Sequence, residues 1–179
     1  MVGKTHSGKT TFGRILEKEI KGVVIQTDPI ALFLKNEYHV NLDQDQEHDG
    51  SFVKPSLKVK IFNVILEHVI KSDTLIPVLT NSNMHQKMRT QIIERLHKGG
   101  HQVIGIYLNF SEKVLTYRIN ETNKSTNVLN TSKDFHALII KQRKIFIEPK
   151  DNEFDYFFEI NSNEMYNEIG KKIINMINN

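Results

Sequence analysis

The segment that most limits what this chain can fold into comes at its start. Gly3-Lys4-Thr5-His6-Ser7-Gly8-Lys9-Thr10 fits the pattern G-x-x-x-x-G-K-[ST] without a mismatch. The spacing has a physical basis. Glycines let the backbone turn and approach phosphate oxygens closely. Successive N–H groups then form an anion nest, to which the following helix adds its positive end. Lys9 places a charge on the β- and γ-phosphates, and the Thr10 hydroxyl is a ligand for Mg²⁺. Gly3, His6, Ser7, Gly8, Lys9, Thr10 and Thr11 are therefore expected to hold the phosphates of a nucleoside triphosphate. For His6 the backbone N–H, not the ring, is what the motif needs.

Downstream, two kinds of apolar period alternate. Short β-branched or apolar runs at 23–27, 75–80, 103–108 and 156–160 predict strands, the third introduced by Gly99-Gly100. Helical spacing covers 10–20, 57–70, 84–97, 111–119, 134–147 and 164–177. Strands that alternate with helices imply a parallel sheet covered on both faces. The expected architecture is a three-layer α/β/α P-loop NTPase fold. A chain of 179 residues fits one such domain, 1–179. One feature departs from the pattern: only Met1 and Val2 precede Gly3, where a buried strand is expected. Either that strand is very short or the chain begins downstream of its natural start. A missing central strand would leave edge groups on its neighbours unpaired.

Composition narrows the function classes. There is no cysteine, so disulfides, thiolate metal sites and cysteine nucleophiles are excluded. No apolar run is long enough to span a bilayer, and residues 1–9 contain no apolar signal region; a cytoplasmic protein is the simplest expectation. The formal net charge is only +3. Lys54, Lys58 and Lys60 form one basic cluster, and Lys141, Arg143 and Lys144 another; both read as solvated faces that an anionic substrate could also use. A nucleic-acid partner is possible but not favoured, because charge is modest and aromatic platforms are few. His39 and His48, near Asp43, Asp45 and Asp49, match no zinc spacing and read as a polar surface loop. The same loop, 36–50, could equally be an acceptor-binding insert. Oligomeric state is not legible.

The class of P-loop protein follows by elimination. A guanine-reading N-K-x-D motif is missing, since the best match, Asn123-Lys124-Ser125-Thr126, lacks the acid. The run 75–79 ends in Thr80-Asn81 rather than in a Walker-B acid. An acid does follow the first strand, at Asp28. There Asp28-Pro29 has two readings: an N-cap followed by proline at the first helical position, or a carboxylate at the carboxyl end of a strand, where ligands of such sheets bind.

These segments together resemble the P-loop kinases of the polynucleotide-kinase-like, zeta-toxin-like and AAA-domain predicted-kinase group, relatives of adenylate kinase. After the P-loop, Thr27-Asp28 ends a strand where that group keeps a catalytic acid. Ile76 to Asn83 with Arg89 is similar to its segment of apolar strand, Asp, x, x, Asn and a later Arg. Gln102 to Leu108, Ser111-Glu112 and Arg118 are similar to the strand and helix that open its lid, roughly 118–145 here. Gln142-Arg143, Glu148-Pro149, Glu153 and Asp155 resemble its closing segment. This chain departs from the group at Thr80, where an acid is usual, and in the lid, where Asn123 and Lys124 stand for a second arginine that Arg143 is placed to replace.

The resemblance implies ATP-dependent phosphorylation of a hydroxyl of a small molecule or nucleotide-like acceptor, with ATP and Mg²⁺ as cofactors. It implies that Lys9 steadies the transferring group, that Thr10 touches the metal, and that Asp28 orients or deprotonates the acceptor. Arg118 and Arg143 would close over ATP as positive clamps; each reads equally well as an exposed helix residue. Asn83 and Arg89 would face the acceptor, unless Arg89 simply pairs on its helix surface. Two alternatives remain: a nucleotide-binding regulatory module without catalysis, which the missing acid at Thr80 favours, and a polynucleotide 5′-hydroxyl kinase.

Overall fold

The computed structural model describes residues 1–40, 56–122 and 134–178. In chain order they form helix α1 (Lys9–Glu19), strand β1 (Gly22–Ile25), helices α2 (Thr27–Tyr38) and α3 (Leu57–Ile70), strand β2 (Ile76–Leu79), helix α4 (Gln86–Lys98), strand β3 (Ile104–Leu108), helices α5 (Glu112–Asn120) and α6 (Phe135–Ile145), a 3-10 turn (Asp151–Glu153), strand β4 (Tyr156–Ile160) and helix α7 (Asn163–Asn178). The strands and helices expected from the periodicity are present with ends shifted by a residue or two. Asp43, Asp45, His48, Asp49 and Lys54, together with Asn123 and Lys124, lie outside the described residues. Among the described residues, no helix is long and apolar enough to cross a membrane.

All strand pairing is parallel. β1 runs beside β2, with Gly22 opposite Ile76 and Ile25 opposite Leu79. β3 runs beside β4, with Ile104 opposite Tyr156 and Leu108 opposite Ile160. Val2 links the two pairs. Its N–H donates to the Ile106 carbonyl at 2.8 Å, and its carbonyl accepts from the Leu108 N–H at 2.9 Å. On the other side the Met1 amino group donates to the Leu79 carbonyl at 2.9 Å. The short segment before Gly3 thus supplies one bridge residue at the centre of the order β1-β2-Val2-β3-β4. An apolar cavity lined by Met1, Ile76, Val78, Ile104, Ile106 and Ile173 lies between β2 and β3.

Side chains alternate across the sheet as a strand period of two requires. Val24, Val78, Ile106, Leu108 and Ile160 face one core with Phe12 and Leu16 of α1, Leu115 of α5, Ile139 of α6 and Ile173 of α7. Val23, Ile25 and Leu79 face the other with Phe62, Leu66 and Val69 of α3 and Leu96 of α4. Two features position the site. The fully buried Phe12 ring, worth roughly 1.5–3 kcal/mol of transfer free energy, stands edge-on to Tyr166 at 4.6 Å and ties α1 to α7. Gly13 lets α1 come so close to the sheet that a Cβ there would lie 2.4 Å from the Thr80 methyl.

Candidate nucleotide site

The loop between Val2 and α1 folds around its own amides. Gly3 has φ 157°, and a Cβ on it would sit 2.7 Å from Ser7 Oγ and 3.0 Å from the Leu108 carbonyl. His6 and Gly8 are both left-handed, with φ 58° and 95°, while the buried Ser7 turns back to donate its N–H to the Lys4 carbonyl at 3.3 Å. Gly8 is the N-cap of α1, and no side chain caps that terminus. The N–H groups of Lys9, Thr10 and Thr11 therefore emerge at the positive end of the helix dipole, beside the nest. The Lys9 ammonium lies across the loop, donating to the Lys4 carbonyl at 2.7 Å and Ser7 Oγ at 3.3 Å. Burial lowers its pKa from 10.5 to about 8, against the opposing charge of Asp28.

Distant elements support this loop. Arg118 of α5 donates from Nη1 to the carbonyls of His6 and Ser7, both at 3.2 Å, and from Nη2 to Asn163 Oδ1 at 3.0 Å. Its guanidinium lies 4.1 Å from the Phe110 ring centroid. Tyr166 donates its hydroxyl to the Gly8 carbonyl at 3.1 Å. From α6, the buried Gln142 accepts the Thr5 N–H at 2.7 Å, and Phe135 meets the His6 ring edge-on at 4.4 Å. Arg143, next to Gln142 in the sequence, is exposed and paired with Glu112, which also draws Lys4 at 3.9 Å. Gln142 belongs to the segment that resembles the group's closing segment, but nothing local in the sequence marks it or Tyr166 as a support of the loop.

The other wall is the carboxyl end of β1 and β2. Thr10 Oγ1 and Thr80 Oγ1 both donate to Gln26 Oε1, at 3.2 and 3.1 Å. Thr27 donates its N–H and hydroxyl to Asn81 Oδ1 at 2.9 and 3.3 Å. Asp28 is exposed here in the first turn of α2. It is not the N-cap: Thr27 is already helical and Gln26 holds the N-cap position, because the β1 backbone stays extended only through Gln26.

Asn83 and Arg89, expected to face the acceptor, are engaged elsewhere. Asn83, with φ 48°, donates Nδ2 to the Met1 carbonyl at 2.7 Å. Arg89 is 3% exposed. It makes a bidentate pair with Glu153, at 2.8 and 2.9 Å, and donates to the carbonyls of Asn83, Met84 and Ile147 at 2.9–3.1 Å. Both join the loop entry and the segment before β4 to the sheet, and both line the cavity between β2 and β3.

The donor set fits a magnesium nucleotide. Among the described residues no group of three or more histidines and carboxylates could hold a metal. Mg²⁺ usually takes one or two protein ligands and completes its shell with phosphate oxygens and waters, and Thr10 beside an open anion nest meets that need.

No family model matches the chain, and no curated protein sequence matches it. Among solved structures, the shikimate kinase of Bacteroides thetaiotaomicron, determined at 1.7 Å resolution, aligns over 99% of this chain and 96% of its own, with a TM-score of 0.55 and 13% identity. At that identity the likeness is one of fold. The chain has the three-layer α/β/α P-loop NTPase fold, in the form that this kinase also adopts.

Proposed function

We propose that this chain is an ATP-dependent kinase that transfers the γ-phosphate to a hydroxyl of a small molecule. One observation carries the reading: the uncapped start of α1 and the Lys9 ammonium, laid across the loop onto the Lys4 carbonyl and Ser7 Oγ, converge on one anion nest. The backbone N–H groups of Gly8 to Thr11 bind the phosphates, and Lys9 lies where charge builds on the transferring group. Asp28 accepts the proton of the acceptor hydroxyl as its oxygen bonds to the γ-phosphorus; the bond from that phosphorus to the β–γ bridging oxygen breaks, and ADP leaves. Thr10 would hold a Mg²⁺ ion, which would supply positive charge to the phosphates. Arg118 holds the loop carbonyls in place. Arg143 turns from Glu112 toward the phosphates, at small cost, because an exposed ion pair is worth only about 0–1 kcal/mol. The kinase of like fold supports the same reaction class and does not name this chain's acceptor.

A second reading, a nucleotide-binding switch, is favoured by Thr80 standing where an acid is expected. ATP consumption measured with sugars, nucleosides, aminoglycosides and 5′-hydroxyl oligonucleotides separates the two. The expected result is phosphorylation of one small-molecule class, loss of ATP affinity in Lys9→Ala, and a loss of transfer of about 10²–10⁴-fold in Asp28→Asn with ATP affinity retained. ATP binding with no acceptor phosphorylated favours the switch. Unchanged ATP affinity in Lys9→Ala overturns the phosphate site, and full transfer by Asp28→Asn removes the base assignment.

A further inference from the structure

Three neutral side chains meet beside the first turn of α1. Gln26 holds the N-cap position of α2 without capping it through its side chain, and turns its Oε1 to two hydroxyls, Thr10 at 3.2 Å and Thr80 at 3.1 Å. Thr80 is 3% exposed and held at the end of β2, its N–H donating to the Ile25 carbonyl at 3.3 Å and its methyl packed against Gly13. A buried hydroxyl needs an acceptor for its proton, and Gln26 Oε1 is the acceptor present. That need sets the flip of the amide: oxygen toward the hydroxyls, nitrogen away.

We propose that Gln26 is the positioning residue for a divalent cation that binds together with the nucleotide. The proposal rests on the phosphate-site reading above. A hydroxyl has one proton and two lone pairs. With the Thr10 proton given to Gln26, both lone pairs of Thr10 Oγ1 are free for a cation at the phosphates. With the amide reversed, its NH₂ would take one of them. Thr80 therefore acts through Gln26, and Gln26 through Thr10, in a relay with no charge in it. The neutral relay offers a cation little attraction by itself, so the phosphates must supply the charge. Free protein binds Mg²⁺ or Mn²⁺ weakly, and the cation and nucleotide strengthen each other's binding.

Calorimetry of ATP binding in EDTA and in Mg²⁺ gives the factor by which the metal strengthens the nucleotide. Gln26→Leu keeps the volume and removes the acceptor. It is expected to lower that factor about 10–100-fold, the usual effect of losing an outer partner of a metal ligand, while the affinity in EDTA stays unchanged. Gln26→Glu has the same shape, accepts both protons and adds a charge. It is expected to restore the factor and to gain Mn²⁺ binding without nucleotide, read by electron paramagnetic resonance. An unchanged factor in Gln26→Leu, or an equal loss of affinity in EDTA and Mg²⁺, overturns the proposal, since the side chain would then only brace the loop. If Gln26→Leu does not fold, failure of Gln26→Glu to gain Mn²⁺ binding overturns it instead. Wild-type protein that binds no ATP in either buffer overturns the phosphate site itself; ATP binding without transfer removes the kinase reading and leaves the role of Gln26 standing.

Discussion

Replacing Arg89 by methionine separates a buried strut from a substrate-binding arginine. The side chains of Arg89 and Glu153 are 2% and 8% exposed, and the pair is bidentate. Methionine fills much of the same space but leaves the Glu153 carboxylate without its partner and four main-chain carbonyls without a charged donor. Removing one member of a buried pair costs about 3–5 kcal/mol. For a chain of this size 1 kcal/mol shifts Tm by about 2–4 °C, so the midpoint should fall by roughly 6–20 °C. Glu153 adds a pH signature. Burial works to raise its carboxyl, but the hydrogen bonds and charges of Arg89 and Lys150 prevail and hold it below the usual range. A depressed carboxylate stabilises the fold above its unfolded pKa and loses that contribution as pH falls through its folded value. The gap between wild type and Arg89→Met should therefore narrow in acid. Adding Glu153→Gln should recover part of the loss, because the orphaned charge goes with it. Thermal denaturation of the three proteins from neutral to acid pH measures all of this. A Tm change below about 2 °C, which is less than 1 kcal/mol, would refute the strut, most clearly if the acceptor KM rose instead.

Two further outcomes are expected. Burial lowers Lys9 to about 8 from 10.5, with Asp28 opposing; between those values the unfolded chain holds a proton that the folded chain lacks, so this group makes stability rise with pH across that window. Phosphates favour the ammonium, so ATP binding near about pH 9 should take up protons; calorimetry in buffers of different ionisation enthalpy reads the uptake, and its survival in Lys9→Ala would assign it elsewhere. Gly13→Ala puts a Cβ 2.4 Å from the Thr80 methyl, an overpacking that should cost about 1–3 kcal/mol; an unchanged melting curve would mean that α1 does not approach β2 this closely.

Much of the frame was legible before any coordinates. β-branched runs such as Val23-Val24-Ile25 and the spacing of Ile61, Ile65, Leu66, Val69 and Ile70 are local signals, and they form β1 and α3. The start of α2 was less legible: Asp28-Pro29 looks like a cap and first turn, yet the helix begins at Thr27, because Gln26 and Thr27 bond to residues 54 positions away. The partners of Arg89 were illegible for a similar reason. An arginine in an exposed-looking helix carries no local mark of a carboxylate 64 residues later in the chain.

The P-loop itself divides along the same line. Its glycines, its lysine and its hydroxyl are properties of eight consecutive residues, since backbone freedom and side-chain chemistry are local; the sequence alone therefore marked the loop at the head of α1 as the candidate phosphate site. Which groups brace that nest was decided by the tertiary structure. Arg118, Gln142 and Tyr166 reach it from three helices, Val2 stands at the centre of the sheet, and Gln26 and Thr80 meet at Thr10. Those meetings depend on how the strands pair and the helices pack, and packing brings together residues that no short pattern connects.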